Sequence, residues 1–96
     1  MSLLQLSVVL PVFNEAGNLE PLTDDLLEAL AEIGRSFEII FVDDGSTDGS
    51  LAVLTRLQKE HDSIIVIEFR RNFGQTAALA AGLRCAEGET VVTMDA

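Results

Sequence analysis

FEIIFVDDGSTDGS, residues 37–50, holds five apolar side chains and one glutamate, then two adjacent aspartates and a glycine. An apolar run that stops at turn chemistry is a buried strand. A carboxylate at the exit of such a strand either forms the turn or meets a ligand, and the rest of the chain has to decide between the two.

Three other runs have the same form: LSVVLPV at 6–12, IIVIEF at 64–69 and TVVTMD at 90–95. Helical patterns separate them over residues 18–33, 48–61 and 74–87, giving the order β-α-β-α-β-α-β. In the first helix Leu19, Leu22, Leu26, Leu30 and Ile33 recur at spacings of three and four, with Asp25, Glu28 and Glu32 between them, and Gly34 is placed to end it. The second shows Leu51, Leu54 and Leu57, with Ser46 or Thr47 as the expected cap. The third, GQTAALAAGLRCAEG, is dominated by small side chains, so it can approach a sheet closely.

Strands rich in Val and Ile without strict alternation are buried on both faces, as in a parallel sheet covered by helices. Right-handed crossovers then give an α/β, Rossmann-like doubly wound parallel sheet of strand order 3-2-1-4.

Ninety-six residues allow one small domain. Six basic against sixteen acidic residues, a formal net charge of −10, exclude the basic stripe that nucleic-acid binding needs. The same charge repels an anionic ligand unless a cation stands between them, so a divalent metal is expected. Cys85 has no partner for an intrachain disulfide and reads as a small core residue. The opening MSLLQLSVVLPVFNEAG lacks a basic n-region and a cleavage site, and no apolar run approaches the ~18 residues of a membrane span. A cytoplasmic location is expected of the segment.

In open α/β sheets ligands bind beyond the carboxyl ends of the strands. Those exits carry Pro11, Phe13, Asn14 and Glu15; Asp43 and Asp44; Arg70, Arg71 and Asn72; and Asp95. Singly, Asn14 and Asp43 are turn formers, Asp44 a cap, and the arginines a solvated pair. Together, four carboxylates on one rim repel one another unless a cation or a ligand's donors offset them. Alternation sends Val42 and Asp44 to one side of the strand and Asp43 to the other, so the adjacent aspartates need not act as a dyad.

Known nucleotide and phosphate motifs are absent. There is no G-x-G-x-x-G after the first strand and no G-K-[ST]. A phosphate cradle at DGSTDG is disfavoured because Asp48 occupies the approach. FVDDGST looks like the D-x-D-G-T of haloacid dehalogenase-type phosphatases, but Val42 stands where that nucleophile would be.

LSVVLPVFNE, VDDGSTDGS, RRNFGQTAALAAG and the terminal VVTMDA together resemble the N-terminal half of a family 2 glycosyltransferase, of the branch similar to dolichyl- and undecaprenyl-phosphate sugar transferases. The resemblance implies half of a glycosyltransferase A-type fold, with residues 1–96 as the donor-binding half and the acceptor half absent. It implies inverting transfer from a nucleotide diphosphate sugar to a polyprenyl (lipid) phosphate or other acceptor. Pro11, Phe13 and Glu15 match the family's first nucleotide-contacting segment, and Val42 and Asp44 its base- and ribose-holding segment. Asp95 matches the first aspartate of the D-x-D that binds Mg²⁺ or Mn²⁺, with Ala96 as the middle residue. The second aspartate and the general base are expected beyond Ala96, which leaves catalytic residues unassigned.

Three expectations follow for the segment. It is inactive alone, and the loop 71–75 lies near the donor's phosphates or the acceptor. The fourth strand, at a sheet edge without proline or lysine, makes the segment self-associate. The intact protein is expected to be membrane-associated through segments outside this sequence. The competing class is a non-catalytic nucleotide-binding or interaction module, distinguished by whether aspartate follows Ala96.

Overall fold

The computed structural model describes residues 4–95. The elements follow in the order β1 (Leu6–Val12), α1 (Ala16–Ile33), β2 (Phe37–Asp43), α2 (Ser50–Glu60), β3 (Ile64–Glu68), α3 (Gln75–Cys85) and β4 (Thr90–Thr93). All strand pairs are parallel, and the sheet order is β3-β2-β1-β4, as the crossover rule requires. β1 and β2 run in register from Leu6 beside Phe37 to Val12 beside Asp43. Their exits therefore fall side by side.

Period-two alternation divides the core between the two faces of the sheet. Val8, Leu10, Val12, Ile39 and Phe41 point to one face and pack with Leu19, Leu26 and Leu30 of α1 and Leu54 and Leu57 of α2. Val9, Ile40 and Val42 point to the other and pack with Ala78 of α3, and Cys85 borders this cluster as the small core residue expected of it. α3 lies close to the sheet because Gly82 has no side chain: a Cβ there would collide with Val9 Cγ1.

Gly34 ends α1 in the left-handed conformation, φ 75°, with its N–H on the Leu30 carbonyl. Ile33 corrects the sequence reading. It is 56% exposed, while Thr23 takes a fully buried place on the inner face of α1. The buried stripe of α1 thus ends at Leu30, one turn before the end of the helix.

The helices also begin and end within a few residues of the expected bounds. α1 starts two residues earlier, α2 covers Ser50–Glu60 instead of 48–61, and α3 Gln75–Cys85 instead of 74–87. Neither Ser46 nor Thr47 caps α2. The residue before α2 is Gly49, and the Ser50 N–H donates to Asp48 Oδ1.

Glu38, the one glutamate of the opening stretch, is 4% exposed and satisfied. Its Oε2 accepts from Ser7 Oγ (2.6 Å) and the Glu87 N–H (2.8 Å), while the Gly88 N–H donates to Ser7 Oγ (2.8 Å). The network fixes the turn between α3 and β4 against β1, which sets the register that brings Asp95 to the β1 exit.

Candidate functional site

A hollow of about 190 Å³ opens at the carboxyl ends of β1, β2 and β4, lined by Pro11, Val12, Phe13, Glu15, Asp44, Gln75 and Asp95. A second, of about 210 Å³, adjoins it through Gln75 and Asp95 and is bounded by Leu79, Thr93 and Met94. Either alone is smaller than the ~300–1,000 Å³ of ligand pockets, so a ligand of nucleotide-sugar size needs both.

The turn after β2 builds the rim. On one side it braces the first-strand loop. Asn14, in the left-handed conformation with φ 53°, accepts at Oδ1 from the Thr47 N–H (2.8 Å) and the Asp48 N–H (3.2 Å). The Asn14 N–H donates to Ser46 Oγ and the Glu15 N–H to Ser50 Oγ, each at 3.0 Å. Asp48 accepts from the Ala16 N–H and from both donors of Ser50. The Ser50 hydroxyl, first, and these backbone N–H groups hold the Asp48 carboxyl below its ordinary value of 3.8. A carboxylate thus occupies the starts of both α1 and α2, which agrees with the case against a phosphate cradle.

On the other side the turn grips the loop after β3. Asp44 Oδ1 accepts from the Phe73 N–H (2.7 Å) and the Gly74 N–H (3.3 Å); Oδ2 accepts from Asn72 Nδ2 (3.0 Å) and the same Gly74 N–H (3.0 Å). Gly45, at φ 71°, lets this loop lie against it, since a Cβ there would overlap the backbone of Arg71 and Asn72. Arg71 is turned over the Phe73 ring at 4.8 Å, and Phe69 meets that ring edge-on at 5.6 Å between centroids.

The two adjacent aspartates part company as alternation predicts. Asp44 faces the hollow, while Asp43 is 2% exposed on the α1/α2 side, with Oδ1 lacking a hydrogen-bond partner. The expected rim of four carboxylates is thereby reduced to Glu15, Asp44 and Asp95 among the described residues. Val42 is fully buried in the α3-side core and does not line the hollow; Pro11, its register partner on β1, does. Ala96 lies outside the described residues.

Asp95 follows Met94, whose N–H donates to the Val9 carbonyl (3.0 Å). Its Oδ1 accepts from Gln75 Nε2 at 2.7 Å. Gln75 entered the sequence reading only as the end of the loop 71–75, without a role of its own; its further signal is its place as the first residue of a helix that starts at a strand exit. Among the described residues no group of three or more His, Cys, Asp and Glu side chains could hold a metal ion. One hard carboxylate nonetheless suits Mg²⁺ or Mn²⁺, which take one or two carboxylates together with phosphates and water.

The model of one family, glycosyl transferase family 2, matches residues 7–96. The chain belongs to that family. It is 41% identical over 93 residues to dodecaprenyl-phosphate galacturonate synthase of Rhizobium johnstonii, covering 96% of this chain and 28% of the relative. It is 44% identical over 91 residues to undecaprenyl-phosphate 4-deoxy-4-formamido-L-arabinose transferase of Pectobacterium carotovorum, covering 94% and 28%. The chain thus spans about 28% of the length of these curated relatives.

Among solved structures, the mannosyltransferase PcManGT from Pyrobaculum calidifontis, in complex with GDP-Man and Mn²⁺, superposes with a TM-score of 0.75 at 31% identity, over 95% of this chain and 27% of that one. S. aureus TarS 1–349 gives 0.73 at 29% identity, over 96% and 27%. The family 2 chain therefore has the strand order and helix placement of part of a glycosyltransferase A-type fold.

Proposed function

We propose that the intact protein transfers a sugar, with inversion and by direct displacement, from a nucleotide diphosphate sugar to a polyprenyl phosphate, and that residues 4–95 supply its donor site. The observation that carries this reading is the convergence of Phe13, Glu15, Asp44 and Asp95, from three strand exits, on one hollow of a family 2 chain. The named activities of the relatives, a synthase and a transferase acting with polyprenyl phosphates, favour an enzyme over a non-catalytic module and a lipid acceptor over a soluble one.

In this reading Pro11 and Phe13 form the apolar wall for the base, with Val42 behind it, and Glu15 accepts from ribose hydroxyls. Asp44 closes the wall. Asp95, with Ala96 and the residue after it as D-x-D, directs a carboxylate at the diphosphate. Asp95 would hold a Mg²⁺ or Mn²⁺ there, and the cation would supply charge neutralisation for the diphosphate leaving group. The neighbour solved with GDP-Man and Mn²⁺ supports that choice of ligand class.

Among the described residues no helix is long and apolar enough to cross a membrane; a lipid acceptor would bring the intact protein to a membrane surface. The segment by itself is proposed to self-associate along β4 and to be inactive.

The intact protein, titrated calorimetrically with UDP- and GDP-sugars, is expected to bind one class in Mn²⁺ and to lose binding and transfer on chelation. Asp95→Asn is expected to abolish the metal dependence. Normal transfer in chelator overturns the assignment of Asp95.

A further inference from the structure

We propose that Gln75 is the positioning residue of Asp95, and that Asp44 sets Gln75 in place through the loop 72–74. The inference rests on the reading of Asp95 as a cation ligand. Asp95 is exposed, and its backbone is tied to β1 one residue earlier through the Met94 N–H. Its side chain still has rotational freedom there, and Gln75 Nε2 removes it by donating to Oδ1 at 2.7 Å. The donor is a neutral amide, so it orients the carboxylate without cancelling its charge. Oδ2 and a second lone pair of Oδ1 are left for a cation. An arginine in the same place would have formed an ion pair and competed with the metal; Arg71, on the adjoining loop, is instead stacked on Phe73.

The position of Gln75 depends in turn on where α3 starts. Gly74, the residue before the helix, makes no side-chain cap bond and has φ 102°, a conformation suited to glycine. The N–H groups of Phe73 and Gly74 are taken up by the Asp44 carboxylate, which projects from the end of a central strand. Asp44 therefore fixes the loop that leads into α3, from 28 to 30 residues away in sequence. Three donors converge on its two oxygens, the Phe73 N–H, the Asn72 amide and a Gly74 N–H shared between both, against about four acceptor sites. Most of the carboxylate's acceptor capacity is thus spent on the loop, and through the loop it acts on Gln75 and Asp95.

The test uses the intact protein and Mn²⁺ titration followed by electron paramagnetic resonance, without nucleotide and with saturating UDP or GDP. Gln75→Leu, at an exposed position, is expected to weaken Mn²⁺ binding by about 10- to 100-fold. Asp44→Asn is expected to weaken it in the same direction, and the double variant to fall well short of the sum of the two, close to Gln75→Leu alone. Trypsin reads the clamp separately: cleavage after Arg70 and Arg71 should accelerate in Asp44→Asn but not in Gln75→Leu. Unchanged Mn²⁺ affinity in Gln75→Leu, or unchanged cleavage in Asp44→Asn, overturns the proposal while Asp95→Asn still abolishes Mn²⁺ binding. If Asp95→Asn binds Mn²⁺ normally, or the wild-type protein binds none, the cation-site reading itself falls and the proposal with it.

Discussion

Asp48 is exposed, yet its carboxylate collects the Ser50 hydroxyl, the Ser50 N–H and the Ala16 N–H, and so joins the starts of two helices. Those bonds favour the charged form and hold its pKa below 3.8 in the folded chain. A depressed folded pKa contributes stability that is complete above the unfolded value and lost as pH falls through the folded one. Asp48→Asn is therefore expected to be less stable than the parent at neutral pH, with the gap closing as the pH is lowered from neutral to below 3.8. Urea denaturation of both proteins across that range measures it, and a gap that widens in acid refutes the assignment. The separation of Asp43 from Asp44 was legible from period-two alternation alone. Of the partners of Asp44, Asn72 stood among the strand-exit residues of the sequence, but the Phe73 and Gly74 N–H groups did not, because backbone donors of a distant loop leave no mark on side-chain identity. Asn14 was legible as a turn former, but not its bonds to the turn 46–48.

Elements were read with the same asymmetry. The strands stand out because buried parallel strands are continuous Val and Ile runs, and the small residues of α3 announced its close approach to the sheet. Helix starts were less legible: Ser46 and Thr47 look like caps, but Ser46 Oγ and the Thr47 N–H are spent on Asn14 across the rim. Local capping rules lose to a tertiary contact here. The packing of α3 gives the element-scale prediction. Gly82→Ala puts a methyl group against Val9 Cγ1 and Val42 Cγ2, both fully buried and part of the sheet, so neither can yield freely. Overpacking of this kind costs typically 1–3 kcal/mol, about 1 of which the better helix propensity of alanine offsets. A net loss of up to about 2 kcal/mol is expected in chemical denaturation. No loss, or a gain, would show that α3 can move off the sheet.

At the scale of the whole molecule, the sheet ends in two edge strands among the described residues, β3 and β4, which differ in how they are covered. β3 is covered by α2, while every residue of β4 is exposed and its only partner strand among the described residues is β1. Val91, Val92 and Met94 add exposed apolar surface beside that open edge. A row of unpaired N–H and C=O groups with apolar flanks is a template for pairing with another strand, and Thr90–Thr93 carries none of the charges, prolines or bulges that discourage it. Net charge of −10 opposes association at long range, but salt screens that repulsion beyond about 8 Å at physiological ionic strength, and backbone pairing acts at shorter distances. The 96-residue chain expressed alone is accordingly expected to form dimers or larger species that bury residues 90–95, in proportion to concentration and more so at higher salt. Val92→Lys places a charge on the strand that such pairing would have to desolvate, and should return the chain to monomer without loss of fold, since Val92 is 41% exposed. Light scattering over a concentration series at two ionic strengths decides it: a strict monomer for the parent sequence, or association that persists in Val92→Lys, would place the contact elsewhere or deny it.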